Sequence, residues 1–193
     1  SPSFSGYRFF AQYSNGVTTE TGVGADDDRL LTVSVLYNNH GKLRFGGIAT
    51  YHTHGTLAED HNATKDIMVS MNYDFDAFRL YLTYQHVFDG LGPNTMLRAG
   101  AFGFGASEKG FDTDAFMAGF MKDIAGGTLS AVFQASRSEY KGDANDGNLS
   151  TSGWRINPAA IYRYPVSRRT TLWTALSWTH GYGMYRRVKD HPV

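Results

Sequence analysis

The sequence predicts an all-β fold: an antiparallel transmembrane β-barrel, or a nine- to ten-stranded portion of a larger barrel. Three observations carry that reading. Segments of about ten residues alternate apolar with polar side chains, the period of two that marks strands rather than the three-to-four spacing of amphipathic helices. The connections between these segments alternate short with long. No apolar run approaches the roughly 18–20 residues that a membrane helix needs, and mean hydropathy is −0.36. Barrel strands escape a hydropathy average because only one of their two faces is greasy.

Composition narrows the alternatives. The 193 residues hold 18 Lys and Arg against 18 Asp and Glu, so no electrostatic case exists for nucleic-acid binding. They hold no cysteine, which excludes a disulfide scaffold and thiolate metal ligands. The 13 Phe and 12 Tyr fit a fold with aromatic belts. The first residues, Ser1-Pro2-Ser3-Phe4, carry neither a basic stretch nor an apolar one. That start reads as a mature or trimmed chain, or as one that never carried an export signal. Residues 1–193 read as a single domain.

The elements follow in order. Residues 4–13 and 30–37 alternate weakly and are the first two strands. In residues 42–52 one face reads Leu43, Phe45, Gly47, Ala49, Tyr51, and the other Lys42, Arg44, Gly46, Ile48, Thr50, His52. Residues 66–75 set Ile67, Val69, Met71 and Tyr73 against Asp66, Met68, Ser70 and Asn72. Residues 78–88 set Phe78, Leu80, Leu82 and Tyr84 against Arg79, Tyr81, Thr83 and Gln85. Residues 115–122 are weaker, and 127–137 set Leu129, Ala131 and Phe133 against Thr128, Ser130 and Gln134. Residues 154–164 and 170–180 complete nine strands.

Short turns are expected at 38–41, 75–77, 123–127 and 165–169, where the residues tolerate turn geometry. Long polar connections fill 14–28, 53–65, 89–114 and 138–153. Residues 96–105 (MLRAGAFGFG) could form a tenth strand, but counting it breaks the alternation of short and long. We therefore read 89–114 as one long loop that folds back into the barrel.

Other constellations carry little. His52, His54 and His61 with Glu59 and Asp60 have the ligand types of a zinc or copper site, but read more simply as a polar loop. Asp143 to Asn148 lacks the glycine placement and closing glutamate of a calcium loop. Asp26-Asp27-Asp28 reads as a solvated acidic run. The glycines of 100–105 lack a strand-then-helix setting for a nucleotide, and no nucleophile elbow accompanies the serines and histidines. Neither a catalytic residue, a metal site nor a cofactor is expected, and the chain reads as a non-enzyme.

The stretch Ile161-Tyr162-Arg163-Tyr164-Pro165-Val166-Ser167-Arg168-Arg169-Thr170-Thr171-Leu172-Trp173 resembles the Tyr-x-Leu-Ser-Lys-Arg-Thr-x-Leu-Tyr hairpin of the general outer-membrane porins of Gram-negative bacteria, of the proteobacterial trimeric type. Met71-Asn72-Tyr73-Asp74-Phe75-Asp76-Ala77-Phe78-Arg79-Leu80 and Lys122-Asp123-Ile124-Ala125-Gly126-Gly127-Thr128-Leu129 are similar to that family's repeated Tyr-Asp-Phe-Gly-x-x-x-Leu hairpins. The likeness extends over residues 29–182. It implies an outer-membrane location, a homotrimer, contact with outer-membrane lipid and lipopolysaccharide, and passive diffusion of small hydrophilic solutes and ions. Porins of this kind close barrels of about 16 strands and end on an aromatic residue. Nine or ten strands and the end Lys189-Asp190-His191-Pro192-Val193 therefore imply a partial chain or a smaller relative.

Closure of such a sheet assigns its two faces. Leu43, Phe45, Val69, Leu80, Leu82 and Phe133 are expected against acyl chains, with Tyr37, Tyr51, Tyr73, Tyr84, Tyr162 and Tyr164 at the interfaces. The opposite faces line water, with Lys42, Arg44, Arg79, Arg155 and Arg163 as the pore-lining basic side. Glu108, Asp112 and Asp114 of the inserted loop are the acidic side of the constriction, and such charged rings set ion preference. The plainer expectation is that these arginines pair with neighbours such as Asp66 and Asp74. Two other classes compete: a small closed outer-membrane barrel acting as adhesin or anchor without a conducting pore, and a soluble β-barrel or sandwich that buries the apolar face. Gly46, Thr50, Ser70, Thr83 and Ser130 on the polar faces leave space and favour the pore.

Overall fold

A computed structural model of the chain describes residues 3–15, 29–38, 41–53, 63–90, 110–142 and 150–189. They form eleven strands: β1 (Ser3–Phe4), β2 (Tyr7–Asn15), β3 (Arg29–Asn38), β4 (Leu43–His52), β5 (Thr64–Asp74), β6 (Arg79–Gly90), β7 (Phe111–Ile124), β8 (Gly127–Tyr140), β9 (Ser152–Ser167), β10 (Thr170–Ser177) and β11 (His180–Gly183). A single 3-10 turn, Met184–Lys189, follows. Each strand pairs antiparallel with the next in sequence from β1 to β10, and β11 pairs with β9 beyond the end of β10. This is the up-and-down meander of a barrel wall. The two ends of the path, β1 and β10, are not paired with each other, so the described sheet is not closed.

All nine alternating segments fold as strands, with changes at their ends. The first segment is cut at Ser5-Gly6, whose φ angles of 49° and 86° build the two-residue hairpin turn that needs positive φ at both positions. The turn expected at 165–169 is tighter. β9 continues to Ser167, and the register with β10 slips between Thr170 and Thr171, which face Ser167 and Pro165. That bulge absorbs a proline that cannot donate to the ladder. The last segment is broken at Trp178-Thr179 into β10 and β11, although both lie along β9 and Trp178 N still donates to Pro158 O at 3.0 Å. The loop expected over 89–114 is shorter, because β6 reaches Gly90 and β7 begins at Phe111. Residues 96–105 lie outside the described residues. β6 and β7 nevertheless pair directly and antiparallel, so no strand intervenes between them.

The short turns therefore gather at one edge of the sheet and the long connections at the other. Strand length grows along the chain, from 9 residues in β2 to 14 in β7 and β8 and 16 in β9. About 9–11 tilted residues cross a bilayer. The later strands overshoot that length toward the long-connection edge.

Because side chains alternate along paired strands, one face collects most of the large apolar residues, while Leu36, Ile48, Met68, Met117, Val132 and Ile161 fall on the other. Tyr37 sits across from Phe45, Gly47 from Val69, Met71 from Leu82, and Ala118 from Phe133. These residues do not build a core. Among the described residues the buried hydrophobic side chains are Phe111, Tyr140, Met184 and Tyr185, whereas Leu31, Ile67, Val69 and Phe133 are 45–50% exposed. A water-soluble monomer rarely shows a contiguous apolar patch of more than a few hundred Å², so this face requires an apolar surrounding. The turn ends of the face carry rings in contact: Tyr7 and Tyr37 at 4.8 Å, Tyr37 and Phe45 at 4.9 Å, and Phe75 and Phe78 at 4.8 Å.

The β7–β8 hairpin turns on Ala125 (φ 51°) and Gly126 (φ 78°). The alanine sits where a Cβ is crowded by its own carbonyl, at a cost of roughly 1 kcal/mol. Ala125→Gly is expected to relieve that crowding and raise the midpoint of urea unfolding in detergent micelles. Gly126→Ala is expected to lower it, since a Cβ there meets the Tyr164 ring at 3.3 Å in a backbone conformation that alanine resists.

Candidate functional site

The face opposite the apolar one is the candidate site, and register identifies its members. Arg44 lies across from Asn72, which lies across from Tyr81; Arg79 lies across from Asp74; Thr128 lies across from Arg163; and Ser136 lies across from Arg155. Four of the five expected basic residues thus share one face. Arg44, Arg79 and Arg163 sit toward the short-turn edge, and Arg155 toward the long-connection edge. The fifth, Lys42, precedes β4 and is tied to Asp76 at the adjacent turn by an ion pair. The hydrogen bond to that carboxylate raises the lysine above its ordinary pKa.

The wall around these arginines mixes short polar groups with apolar ones such as Met117, Met121, Val132 and Ile161. Thr32 and Thr50 hydroxyls are 3.3 Å apart, and Gln85 donates to Asp66 Oδ2 at 2.9 Å. A recess of about 250 Å³ is lined on this face by Thr83, Gln85, Gln134, Ser136, Arg155 and Asn157. Not every small residue leaves room, as expected of Gly46. A Cβ on Gly46 would meet the Leu36 side chain at 2.5 Å, because that leucine leans across from β3 and fills the gap. The plainer expectation holds for Arg79, whose guanidinium reaches Asp74 at 2.9 Å. It does not hold for Asp66, which is engaged by an amide.

Two of the three acidic residues expected opposite this wall, Asp112 and Asp114, are placed elsewhere. Glu108 lies outside the described residues. Asp112 and Asp114 are on β7, not in a loop, across from Glu139 and Arg137. Alternation puts them on the apolar face, opposite the arginines, in the part of β7 that overshoots the bilayer length. The sequence concealed this because Phe111-Asp112-Thr113-Asp114 is polar on that face, which hides the apolar alternation at the start of β7. There Asp114 accepts from Tyr84 at 2.6 Å and meets His86 Nδ1 at 2.7 Å. Asp112 accepts from the Asp89 backbone N–H at 3.1 Å, and Lys141 bridges Asp89 and Asp112 at 2.9 Å each. His54, Glu59, Asp60 and His61, the remaining members of the weak metal constellation, lie outside the described residues, as do 26–28, 100–105 and 143–148.

Sequence reading missed the 3-10 turn. Met184 and Tyr185 are 2% and 6% exposed, and Tyr185 OH lies 2.7 Å from Ser138 Oγ, itself 2.8 Å from Thr113 Oγ1. Thr113, Ser138 and Gly153 belong to the polar face, so the turn is seated on that face. Its signal was the glycine spacing Gly153, Gly181, Gly183, whose need becomes visible only with a partner above them.

Lys141 shows how the long-connection edge is held. Partial burial would lower its pKa, but hydrogen bonds from the ammonium to Asp112 and Asp89 outweigh burial and raise it. A raised pKa in the folded state contributes stability that is present below the ordinary lysine value and lost as pH climbs through the folded one. Lys141→Met is therefore expected to unfold at lower urea than wild type at neutral pH. The gap should narrow as pH rises past about 10.4, read by tryptophan fluorescence in micelles.

No protein-family model matches the sequence, and no curated protein matches it. The fold is similar to a solved structure described as an anion-selective porin from Comamonas acidovorans, with TM-score 0.63 and 18% identity over 94% of this chain. The match covers 47% of that porin, so the chain spans about half its length. What the likeness establishes is the architecture: the described strands are a stretch of porin-type antiparallel barrel wall.

Proposed function

We infer that the chain is a wall of a porin-like channel in the bacterial outer membrane, through which small hydrophilic solutes and ions diffuse passively. The observation that carries this reading is the sorting of the two faces. Most of the large exposed apolar side chains stand on one, while the arginines share the other with amides and hydroxyls and with a minority of apolar groups such as Leu36, Ile48, Met68 and Trp173. In hydrocarbon every backbone donor and acceptor must be paired within the protein, and the antiparallel ladders from β1 to β10 supply that pairing for the strands between the two open edges. The exposed Val69, Ile67 and Phe133 then face acyl chains, and the arginine face lines water.

The charge of that water-lining face favours anions. Its described strand positions include Arg8, Arg44, Arg79, Arg155 and Arg163, against Asp66, Asp74 and Asp123, and Asp74 is already committed to Arg79. Fixed positive charge in a low-dielectric channel concentrates counter-ions of the opposite sign. The similar porin is described as anion-selective, which agrees with this reading. The hairpin resemblance of residues 161–173 adds a homotrimer surrounded by outer-membrane lipid and lipopolysaccharide.

Planar-bilayer recording of the full-length protein tests the channel. Discrete conductance steps with a reversal potential on the anion side are expected, whereas a folded, silent protein would favour an anchor. Arg44→Glu combined with Arg163→Glu is expected to move the reversal potential toward the cation side without abolishing the steps. The sidedness has its own test in β5. Val69→Arg is expected to cost about 2–4 kcal/mol of folding free energy in lipid vesicles, while Ser70→Arg, one residue away on the water face, costs far less. Equal costs would remove the assignment of faces.

A further inference from the structure

We propose that the Met184–Lys189 turn is a built-in constriction, an inward-folded basic element that narrows the water path on the β8–β9 side and strengthens its preference for anions. This rests on the channel reading above and adds the part of the path that sets its width and charge.

The turn is anchored rather than draped. After β11 the backbone reverses at Gly183 (φ 62°) and drops Met184 and Tyr185 onto the polar face, where both are buried. The strands beneath have been cleared to receive them. A Cβ on Gly153 would stand 2.9 Å from the Tyr185 ring, and one on Gly181 would stand 2.6 Å from Tyr185 Cβ. Two adjacent strands thus give up side chains where the tyrosine lies. Hydrogen bonding completes the seat through the Tyr185–Ser138–Thr113 chain of hydroxyls, which reaches from the turn across β8 to β7. Buried hydroxyls are costly unless partnered, so this chain fixes the turn in one position.

Its charge points the same way. Arg155 lies with its guanidinium carbon 6.0 Å from the centre of the Tyr185 ring, within reach of a cation–π contact, and Arg186 is exposed on the turn. On the same face of the described strands, Asp66 and Asp74 lie on β5, three strands from β8, and Asp123 lies at the far end of β7. An element that occupies space on the water-lining wall and carries fixed positive charge reduces total conductance while raising the share carried by anions.

The 193 residues contain no cysteine, so one introduced in the turn is the single thiol among them. The full-length protein and three variants would be recorded in planar bilayers: Tyr185→Ala, which unseats the turn; Arg186→Glu, an exposed change that leaves the seat intact; and Arg186→Cys, treated with a bulky thiol reagent during recording. Larger conductance steps with weaker anion preference are expected for Tyr185→Ala. A reversal potential shifted toward the cation side is expected for Arg186→Glu, and a drop in current on reagent addition for Arg186→Cys. If wild type conducts but the charge reversal leaves the reversal potential unchanged and the reagent leaves the current unchanged, the constriction is overturned and the channel stands. If wild type shows no steps, the channel reading itself fails.

Discussion

The structure depends on one constraint: backbone groups that cannot reach water must find partners inside the sheet. Antiparallel neighbours from β1 to β10 meet it strand by strand. The side chains are then left free to sort by environment, because a strand sends successive residues to opposite sides. A slip of one residue in any ladder would exchange the faces of that strand, placing Val69 against water and Asp66 against hydrocarbon. The stacked rings at the turn edge, such as Tyr37 on Phe45, and the bulge at Val166 beside Pro165 hold the register where slippage would begin.

With pairing met by the backbone, a dry core is not needed, and among the described residues hardly one exists. The few buried hydrophobic side chains cluster where the chain folds back on itself, at Phe111, Tyr140, Met184 and Tyr185. That cluster coincides with the overshooting ends of β7, β8 and β9. At those ends the apolar face turns polar, with Asp112, Asp114, Arg137 and Glu139 in cross-strand pairs, as it must where a strand outruns the bilayer of the proposed channel. The opposite face there has room for a second layer, and the turn after β11 supplies it. Longer strands thus account both for acids on a nominally apolar face and for a small core on a nominally wet one.

The candidate wall joins these features into one electrostatic picture. Arginines toward the turn edge and Arg155 toward the other edge place positive charge at two depths of the same face, with Asp74 neutralising one of them at close range. Asp112 and Asp114, expected across from them, stand instead on the other face at the long-connection edge, where Lys141 and His86 engage them. The field of the wall is therefore less balanced than the neutral overall composition implies.

Much of this was legible in the residues. A period of two is a local property, so the strands, their greasy and polar sides, and the common face of Arg44, Arg79, Arg155 and Arg163 could be read from spacing alone. Alternating connection lengths likewise fixed which edge carries the short turns, a parity that survives errors in any one boundary. What needed the tertiary structure was every feature set by a partner distant in sequence. Where β7 begins depends on β6 and β8 extending far enough to pair with Phe111 and Asp112. The space at Gly46 depends on Leu36, and the value of Gly153 and Gly181 depends on a tyrosine that folds back over them. Alternation assigns a side chain to a side; only the neighbouring chain decides whether that side is open.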